Sequence, residues 1–388
     1  MKTIAVFFGG KSTEHDVSIV TAISSIIKPL ELSKKYRVEA IYIAKNGAWY
    51  WGDQYKNISH YSSGRINELI KRDKTVQVDF DGGLTLKKTS LLTKDKKVKI
   101  DVAFPATHGT YGEDGSLMGL LRMAGIPFVG CDMEASVIAM NKLLAHQVVS
   151  ATGIKSHNYL GITKVNYEDK GDDFISRCNK MSYPLFVKPV HLGSSIGITK
   201  VDEPNELLGA LDTAFYYDDA VIVEEAVKNL IEVTLPIIGP AKDPLPGLVE
   251  QPIFDEDKIF DFSAKYIGQG GKKGKPSGKT SGAQGYSNLP AKIDEDLYKR
   301  VVDLGCDVYK IVGCSGIARI DMLIDSKTEE VYFNEVNPLT GSLYMHNWKA
   351  AGISPVELLT KLVSYAESDH QTKGIVETTF DTNFLKQF

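Results

Sequence analysis

The stretch from Arg319 to Asn337 constrains this chain more than any other. It reads Arg319-Ile320-Asp321-Met322-Leu323-Ile324-Asp325, then Ser326-Lys327-Thr328-Glu329-Glu330, then Val331-Tyr332-Phe333-Asn334-Glu335-Val336-Asn337. Two short apolar runs around a charged turn predict a β-hairpin. Strand alternation puts Arg319, Asp321 and Leu323 on one face, and Phe333, Glu335 and Asn337 on one face of the second strand. If the two faces coincide, Asp321, Glu335 and Asn337 form an all-oxygen cluster. Mg²⁺ is held by such hard ligands, one or two carboxylates plus substrate phosphates. The same residues also fit an exposed hairpin with solvated charges.

The start of the chain predicts an α/β domain. Ile4 to Phe8 is a continuous apolar run, as in a parallel strand buried on both faces. Gly9-Gly10 turns it, and Ser12 or Thr13 is placed to cap a helix. Val17, Val20, Ile23, Ile26 and Ile27 recur at helical spacing, and Pro29 is expected to stop the helix. Tyr36 to Ala44 reads as the next strand. Two phosphate-binding patterns are absent. Gly10-Lys11-Ser12 lacks the earlier glycine of a P-loop, since position 5 is Ala5. Gly278-Lys279-Thr280 fails the same way, with Lys273 at the required glycine.

Further along, Val102 to Pro105 is a buried strand. It leads into His108-Gly109-Thr110-Tyr111-Gly112-Glu113-Asp114-Gly115. Open α/β sheets place ligands at such a carboxyl-end loop, and the glycines imply close backbone approach. Met118 to Ala124 reads as a helix, Ile126 to Gly130 as a strand, and Val137 to Ser150 as one amphipathic helix carrying Lys142. Leu185-Phe186-Val187-Lys188-Pro189 is a strand followed by Leu192-Gly193-Ser194-Ser195-Ile196-Gly197. That Gly-Ser loop offers amide and hydroxyl donors to phosphate, with Lys188 as a point charge beside it. Val221 to Glu225 ends in the acids Glu224 and Glu225. Ile231 to Gly239 is another strand, and Leu297 to Val312 a helix. Trp348 to Gly352 and Pro355 to Ala366 read as terminal helices, and the tail from His370 as poorly packed.

Composition excludes several classes. A net charge of −4 implies no general nucleic-acid or anionic-membrane field. The four cysteines show no CxxC pairing, so they read as reduced thiols of a cytoplasmic protein. No signal-peptide pattern is present, and no apolar run reaches the roughly 20 residues a membrane span needs. Residues 267–293 contain no acid and several lysines. That segment reads either as a solvated loop or as a lid over a polyanion.

Taken together, these motifs resemble the D-alanine–D-alanine ligases of the ATP-grasp superfamily. The resemblance runs over roughly residues 3–366. It rests on Gly9 through Ser18, His108 through Gly115, Lys188 through Gly197, Ala264-Lys265-Tyr266, Arg319-Ile320-Asp321 and Asn334-Glu335-Val336-Asn337. It implies an α/β fold with a Rossmann-like N-terminal substrate-binding domain over 1–135. A two-subdomain ATP-grasp fold would follow, with a small subdomain over 136–220. A C-terminal subdomain over 221–388 would carry a lid loop at 264–293.

The resemblance implies joining of two D-alanines at the expense of ATP, with Mg²⁺ or Mn²⁺, for peptidoglycan precursors. Glu14 corresponds to the anchor of the first ammonium, linked through Ser194 to Tyr266, and His108 stands near the first substrate. Lys142, Lys188, Ser195 and Lys265 correspond to ATP-phosphate contacts, and Glu224, Glu225 and Glu232 to acids near adenine and ribose. Asp321, Glu335 and Asn337 correspond to metal ligands. Arg319 and the Gly341 amide correspond to oxyanion donors, and Ser342 and Leu343 to second-substrate contacts. A cytoplasmic homodimer acting on small D-amino acids, without nucleic acid or membrane, is implied.

The chain departs from the family pattern in three places. Asn337-Pro338-Leu339-Thr340-Gly341 runs directly into Ser342-Leu343, a shorter loop than the family's Asn-Thr-x-Pro-Gly stretch. The segment after Tyr266 is longer and more basic, and Ile231-Glu232 replaces an Arg-Glu pair. The short loop leaves a second substrate such as D-lactate, D-serine or another amine open. A non-catalytic nucleotide-binding homologue and an RNA-binding role for the basic segment are further alternatives.

Overall fold

The computed structural model describes residues 1–80, 82–89, 95–253, 287–377 and 381–388. Lys265, Tyr266 and most of the expected lid lie outside the described residues.

Three four-stranded sheets organise the chain. In the first, Lys2–Gly9 lies between Tyr36–Ile43 and Val102–Pro105, parallel to both. Ile4 to Phe8 are fully buried, as a strand covered on both faces requires. Trp49–Trp51 closes one edge antiparallel. This is the α/β architecture that the opening apolar run predicts.

The second sheet is antiparallel, in the order Thr199–Val201, Leu185–Pro189, Ala220–Glu225, Tyr159–Thr163. The third is also antiparallel, in the order Leu245–Pro246, Leu230–Gly239, Gly316–Asp325, Glu330–Asn337. Helix Glu295–Val312 covers the third sheet with Leu297, Val301, Val308 and Val312. Asp294 caps its start by accepting from Asp296 N, and Gly313 ends it at φ 75°. The terminal helix Pro355–Lys373 returns to the first core, where Leu358, Leu359, Leu362 and Val363 join Ile4, Val6 and Phe8. Beyond it, Ile375, Phe384, Leu385 and Phe388 are exposed. No described helix is long and apolar enough to cross a membrane.

Several local expectations are corrected. The first helix starts at His15 with Glu14 as its N-cap, and neither Ser12 nor Thr13 caps it. It does not stop at Pro29. His15–Val20 is followed by a π-helical stretch, Thr21–Ile27, and then by Lys28–Leu32. Pro29 falls in the first turn of that last piece, where a missing N–H costs little. The single helix expected over 137–150 is two, Met133–Met140 and Lys142–Ser150. Asn141 breaks it in extended conformation, and its side chain accepts from Leu144 N. Ile126 to Gly130 forms no strand, only a bridge from Phe128 to Ala103.

The hairpin forms where expected, with Asp321 opposite Glu335 and Arg319 opposite Asn337. Its second strand does not alternate throughout. Met322 pairs with Phe333, so Asn334 is an extra residue and the register shifts. A β-bulge of this kind re-aims side chains. Phe333 turns into the core, fully buried, and does not share the face of Glu335 and Asn337. We expect Phe333→Ala to destabilise the fold by about 3–5 kcal/mol. The check is the urea midpoint of unfolding, and an unshifted midpoint would contradict this packing.

Candidate active site

The bulged hairpin, the Gly-Ser loop and the ends of the second and third sheets surround one cleft. Its lining includes Lys142, Lys188, Ser194, Ser195, Glu224, Glu225, Glu232 and Glu335. All are residues that the sequence nominates. His157, Phe186, Leu230, Leu323 and Asn334 also line it. Strand alternation explains Glu232 and Leu323, which are directly paired across adjacent strands.

Two basic side chains reach the cleft and are held on carboxylates. Lys142 sits at the first position of its helix because Asn141 ends the preceding one. Its Nζ donates to Leu192 O at 2.6 Å and lies 3.5 Å from Glu335 Oε2. Lys188 pairs with the buried Glu224. Glu225 is turned differently, accepting from Ser182 N at 2.8 Å and Asn158 Nδ2 at 3.1 Å.

Glu224 also faces two imidazoles. His157 Nε2 is 3.1 Å from Oε2, and His146 Nε2 is 3.3 Å from Oε1. Burial alone would raise the Glu224 pKa, but Lys188 and the histidines outweigh it and hold the carboxyl well below its ordinary value. Burial lowers the pKa of His146, partly offset by Glu224. The His146, His157 and Glu224 ligand atoms are close enough to share a metal ion. With Lys188 already on the same carboxylate, the cluster is charge-balanced without one. Sequence reading missed both histidines. His146 lies four residues after Lys142, one helical turn away, and that spacing is the signal that would have found it.

At the hairpin, Asp321 is buried and accepts two hydrogen bonds from Arg319, from Nε and Nη2, each at 2.6 Å. Asn337 Nδ2 donates to the same carboxylate at 3.1 Å. Burial pushes the Asp321 pKa up to about 6; Arg319 opposes this, and the Glu335 and Glu232 charges add to it. Two carboxylates directly opposite on adjacent strands repel. A divalent cation relieves that repulsion, and the hard oxygen donors of Asp321, Glu335 and Asn337 suit Mg²⁺ or Mn²⁺.

A second group of residues lies at the carboxyl end of the first sheet. Ser194 donates to the buried Glu14 across 180 residues of sequence. Both Ser194 and Ser195 are left-handed, at φ 58° and 59°. Burial raises the Glu14 pKa, and the nearby Glu113 raises it further. Glu113, which sequence reading assigned no role, accepts from Gly109 N at 2.7 Å. It also lies 3.8 Å from His108 Nδ1. Burial works against a charge on His108, yet the Glu113 carboxylate leaves its pKa raised. Gly109 has φ 70°, and a Cβ there would come within 2.5 Å of Ser12 Oγ and 2.9 Å of Glu14 Oε2. The close approach implied by the glycines is, at Gly109, to Ser12 and Glu14.

The short loop after Asn337 joins these two groups. Ser342, Leu343 and Tyr344 are all left-handed, at φ 52°, 52° and 51°. For residues with a Cβ this costs roughly 1–2 kcal/mol each. The loop is held on both sides. Ser342 N donates to Thr21 Oγ1 at 2.9 Å, and the Arg319 guanidinium lies over the Tyr344 ring at 5.2 Å. His346 Nε2 lies 2.7 Å from the buried Glu250. Gly341 packs toward Val17 on the first helix.

Known proteins share this chain's sequence and fold. Residues 3–131 match the family described as "D-ala D-ala ligase N-terminus", and residues 148–364 match "D-ala D-ala ligase C-terminus". A D-alanine–D-alanine ligase of Caldicellulosiruptor bescii is 35% identical over 385 residues, covering 96% of this chain and 97% of that one. D-alanine–D-alanine ligase B of Clostridium tetani is 35% identical, covering 94% and 93%. Among solved structures, the VanG D-Ala:D-Ser ligase of Enterococcus faecalis superposes with a TM-score of 0.76 at 33% identity, covering 94% and 99%. The D-alanine–D-alanine ligase of Coxiella burnetii gives 0.74 at 26%, covering 97% and 98%. By sequence over nearly its whole length, and by a fold built on two antiparallel sheets around a cleft, this chain belongs to the ATP-grasp family of D-alanine–D-alanine ligases.

Proposed function

We propose that this protein is an ATP-dependent carbon–nitrogen ligase that joins two D-alanines for peptidoglycan precursors. The observation that carries the reading is the Asp321–Glu335 pair, set across adjacent strands, with Glu335 lining the cleft that Lys142 and Lys188 enter. Phosphoryl transfer needs positioning and charge neutralisation more than covalent help from the protein. Lys142 and Lys188, with Ser195 in the Gly-Ser loop, supply positive charge and donors for the ATP phosphates. Glu224, Glu225 and Glu232 provide acceptors for the base and ribose. Asp321, Glu335 and Asn337 would hold Mg²⁺, or Mn²⁺ in its place, which supplies neutralisation of phosphate charge when bound.

On the substrate side, Glu14 receives the ammonium of the first D-alanine. The raised pKa of Glu14 fits a carboxylate that gains from an arriving cation. Phosphorylation of the first substrate's carboxylate gives an acyl phosphate, and the second amine displaces phosphate from its carbon. Arg319 and the Gly341 amide stabilise the tetrahedral oxyanion, as fixed donors do when aimed at developing charge. Ser342 and Leu343 contact the second substrate. Lys265 as an ATP contact and Tyr266 as the partner of Ser194 belong to the same reading and lie outside the described residues. A cytoplasmic homodimer is part of the same reading.

The reading is tested by ADP release with a panel of acceptors. D-alanine is expected to be the best acceptor, ahead of D-serine and D-lactate. Turnover with another acceptor and none with D-alanine would contradict it, and ATP binding with no D-amino-acid-dependent turnover would leave only a nucleotide-binding protein. Asp321→Asn is expected to lower kcat about 100-fold or more, because charge stabilisation at the transferred phosphoryl group is lost.

The pH dependence follows from the raised Asp321 pKa of about 6. Below that pH the carboxyl is protonated, and a metal ion must displace the proton. The Mg²⁺ concentration for half-maximal rate should therefore climb as pH falls from 7 to 5, approaching about tenfold per unit. A flat Mg²⁺ requirement over this range would contradict the assignment of Asp321.

A further inference from the structure

We propose that Thr21 is a positioning residue that ties the first-substrate side of the site to the second-substrate loop. The inference rests on the ligase reading and goes beyond it, because it concerns how the two substrate positions are kept in register. Thr21 is fully buried and opens the π-helical stretch of the first helix. Such local widenings are frequent at functional sites. Its Oγ1 lies 3.1 Å from His108 Nε2 and accepts from Ser342 N at 2.9 Å. One hydroxyl thereby touches the histidine beside Glu14 and the loop expected to hold the second substrate.

The proton count supports a persistent link. A hydroxyl has one proton and two lone pairs. Ser342 N–H uses one lone pair. His108 Nδ1 faces Glu113, which favours a proton on Nδ1. In neutral His108, Nε2 is then an acceptor and the Thr21 O–H donates to it. In charged His108, Nε2–H donates to the second lone pair. The bridge survives either state, so it does not depend on which form the histidine takes.

The loop also needs such a tie. Ser342, Leu343 and Tyr344 hold three consecutive left-handed conformations, each unfavourable for an L residue. Gly341 packs toward Val17, four residues before Thr21 and on the same helical face. The first helix thus carries the loop at two successive turns. The position of the second amine relative to the first acyl group is set by a helix that also places Glu14 at its start.

The test compares Thr21→Val and Thr21→Ser in the full-length protein. Valine keeps the shape and removes both hydrogen bonds; serine keeps the hydroxyl. Hydroxylamine traps the acyl phosphate, its nitrogen displacing phosphate from the acyl carbon, and so reads the first half-reaction without the second-substrate loop. Dipeptide formation reads both halves. For Thr21→Val we expect hydroxamate formation to stay within about threefold, while dipeptide formation at low D-alanine falls by about tenfold, the size of the lost hydrogen bond to the Ser342 loop. The loss should lie in the acceptor KM, and Thr21→Ser should restore it. Equal losses in both assays, no loss in either, or a serine variant as impaired as valine would overturn the inference. No hydroxamate from the unmodified protein would overturn the ligase reading itself, and this inference with it.

Discussion

Two carboxylates placed opposite each other on neighbouring strands are the constraint around which the rest of this site is built. Asp321 and Glu335 would repel in any sheet. The chain meets the repulsion with cations from more than one direction. Arg319 lies two residues before Asp321 on the same strand and binds it with two nitrogens. Lys142 approaches Glu335 from the start of a helix. Glu232 adds a further negative charge nearby, and a divalent ion would help to neutralise it. The acids do not stabilise the hairpin. The hairpin is held by its core face, with Ile320, Met322, Ile324 and Phe333 buried, and that packing tolerates the acids.

The same logic recurs at Glu224. A fully buried carboxylate costs several kcal/mol unless it is paired. Lys188, His146 and His157 share the pairing. A group held anionic by three neighbours is a fixed acceptor, which suits recognition of a ligand donor. Glu14 is the opposite case. It sits near Glu113, accepts from Ser194, and its pKa is raised. The structure therefore has one acid held firmly anionic and one whose charge is resisted. That difference fits the two roles proposed for them, base recognition and capture of a substrate ammonium.

Much of this arrangement is legible in the amino-acid sequence. The apolar run Ile4 to Phe8, the hairpin around Arg319 and Asp321, and the Lys188 to Gly197 loop carry local signals that tertiary packing does not override. Where sequence and structure differ, a single residue usually changes the rule. Asn334 adds one residue to a strand and sends Phe333 to the other face. Asn141 accepts a helix amide and splits one helix into two. Pro29 is tolerated because it falls in a first turn. His146, His157 and Thr21 are hidden for a different reason. Their partners, Glu224, His108 and Ser342, are remote in sequence, and only the one-turn spacing of His146 from Lys142 gives a local hint. The family resemblance locates the acids and lysines, but it does not supply these supporting side chains.

The proposed function rests on Asp321 and Glu335 jointly holding one divalent ion. The most direct measurement is electron paramagnetic resonance of Mn²⁺ titrated into the protein with a non-hydrolysable ATP analogue, comparing the unmodified chain with Glu335→Gln and Asp321→Asn. Tightly bound Mn²⁺ is expected in the unmodified protein, and affinity at least about tenfold weaker in each variant, since each removes an anionic ligand. Undiminished Mn²⁺ binding in both variants would contradict a shared metal site.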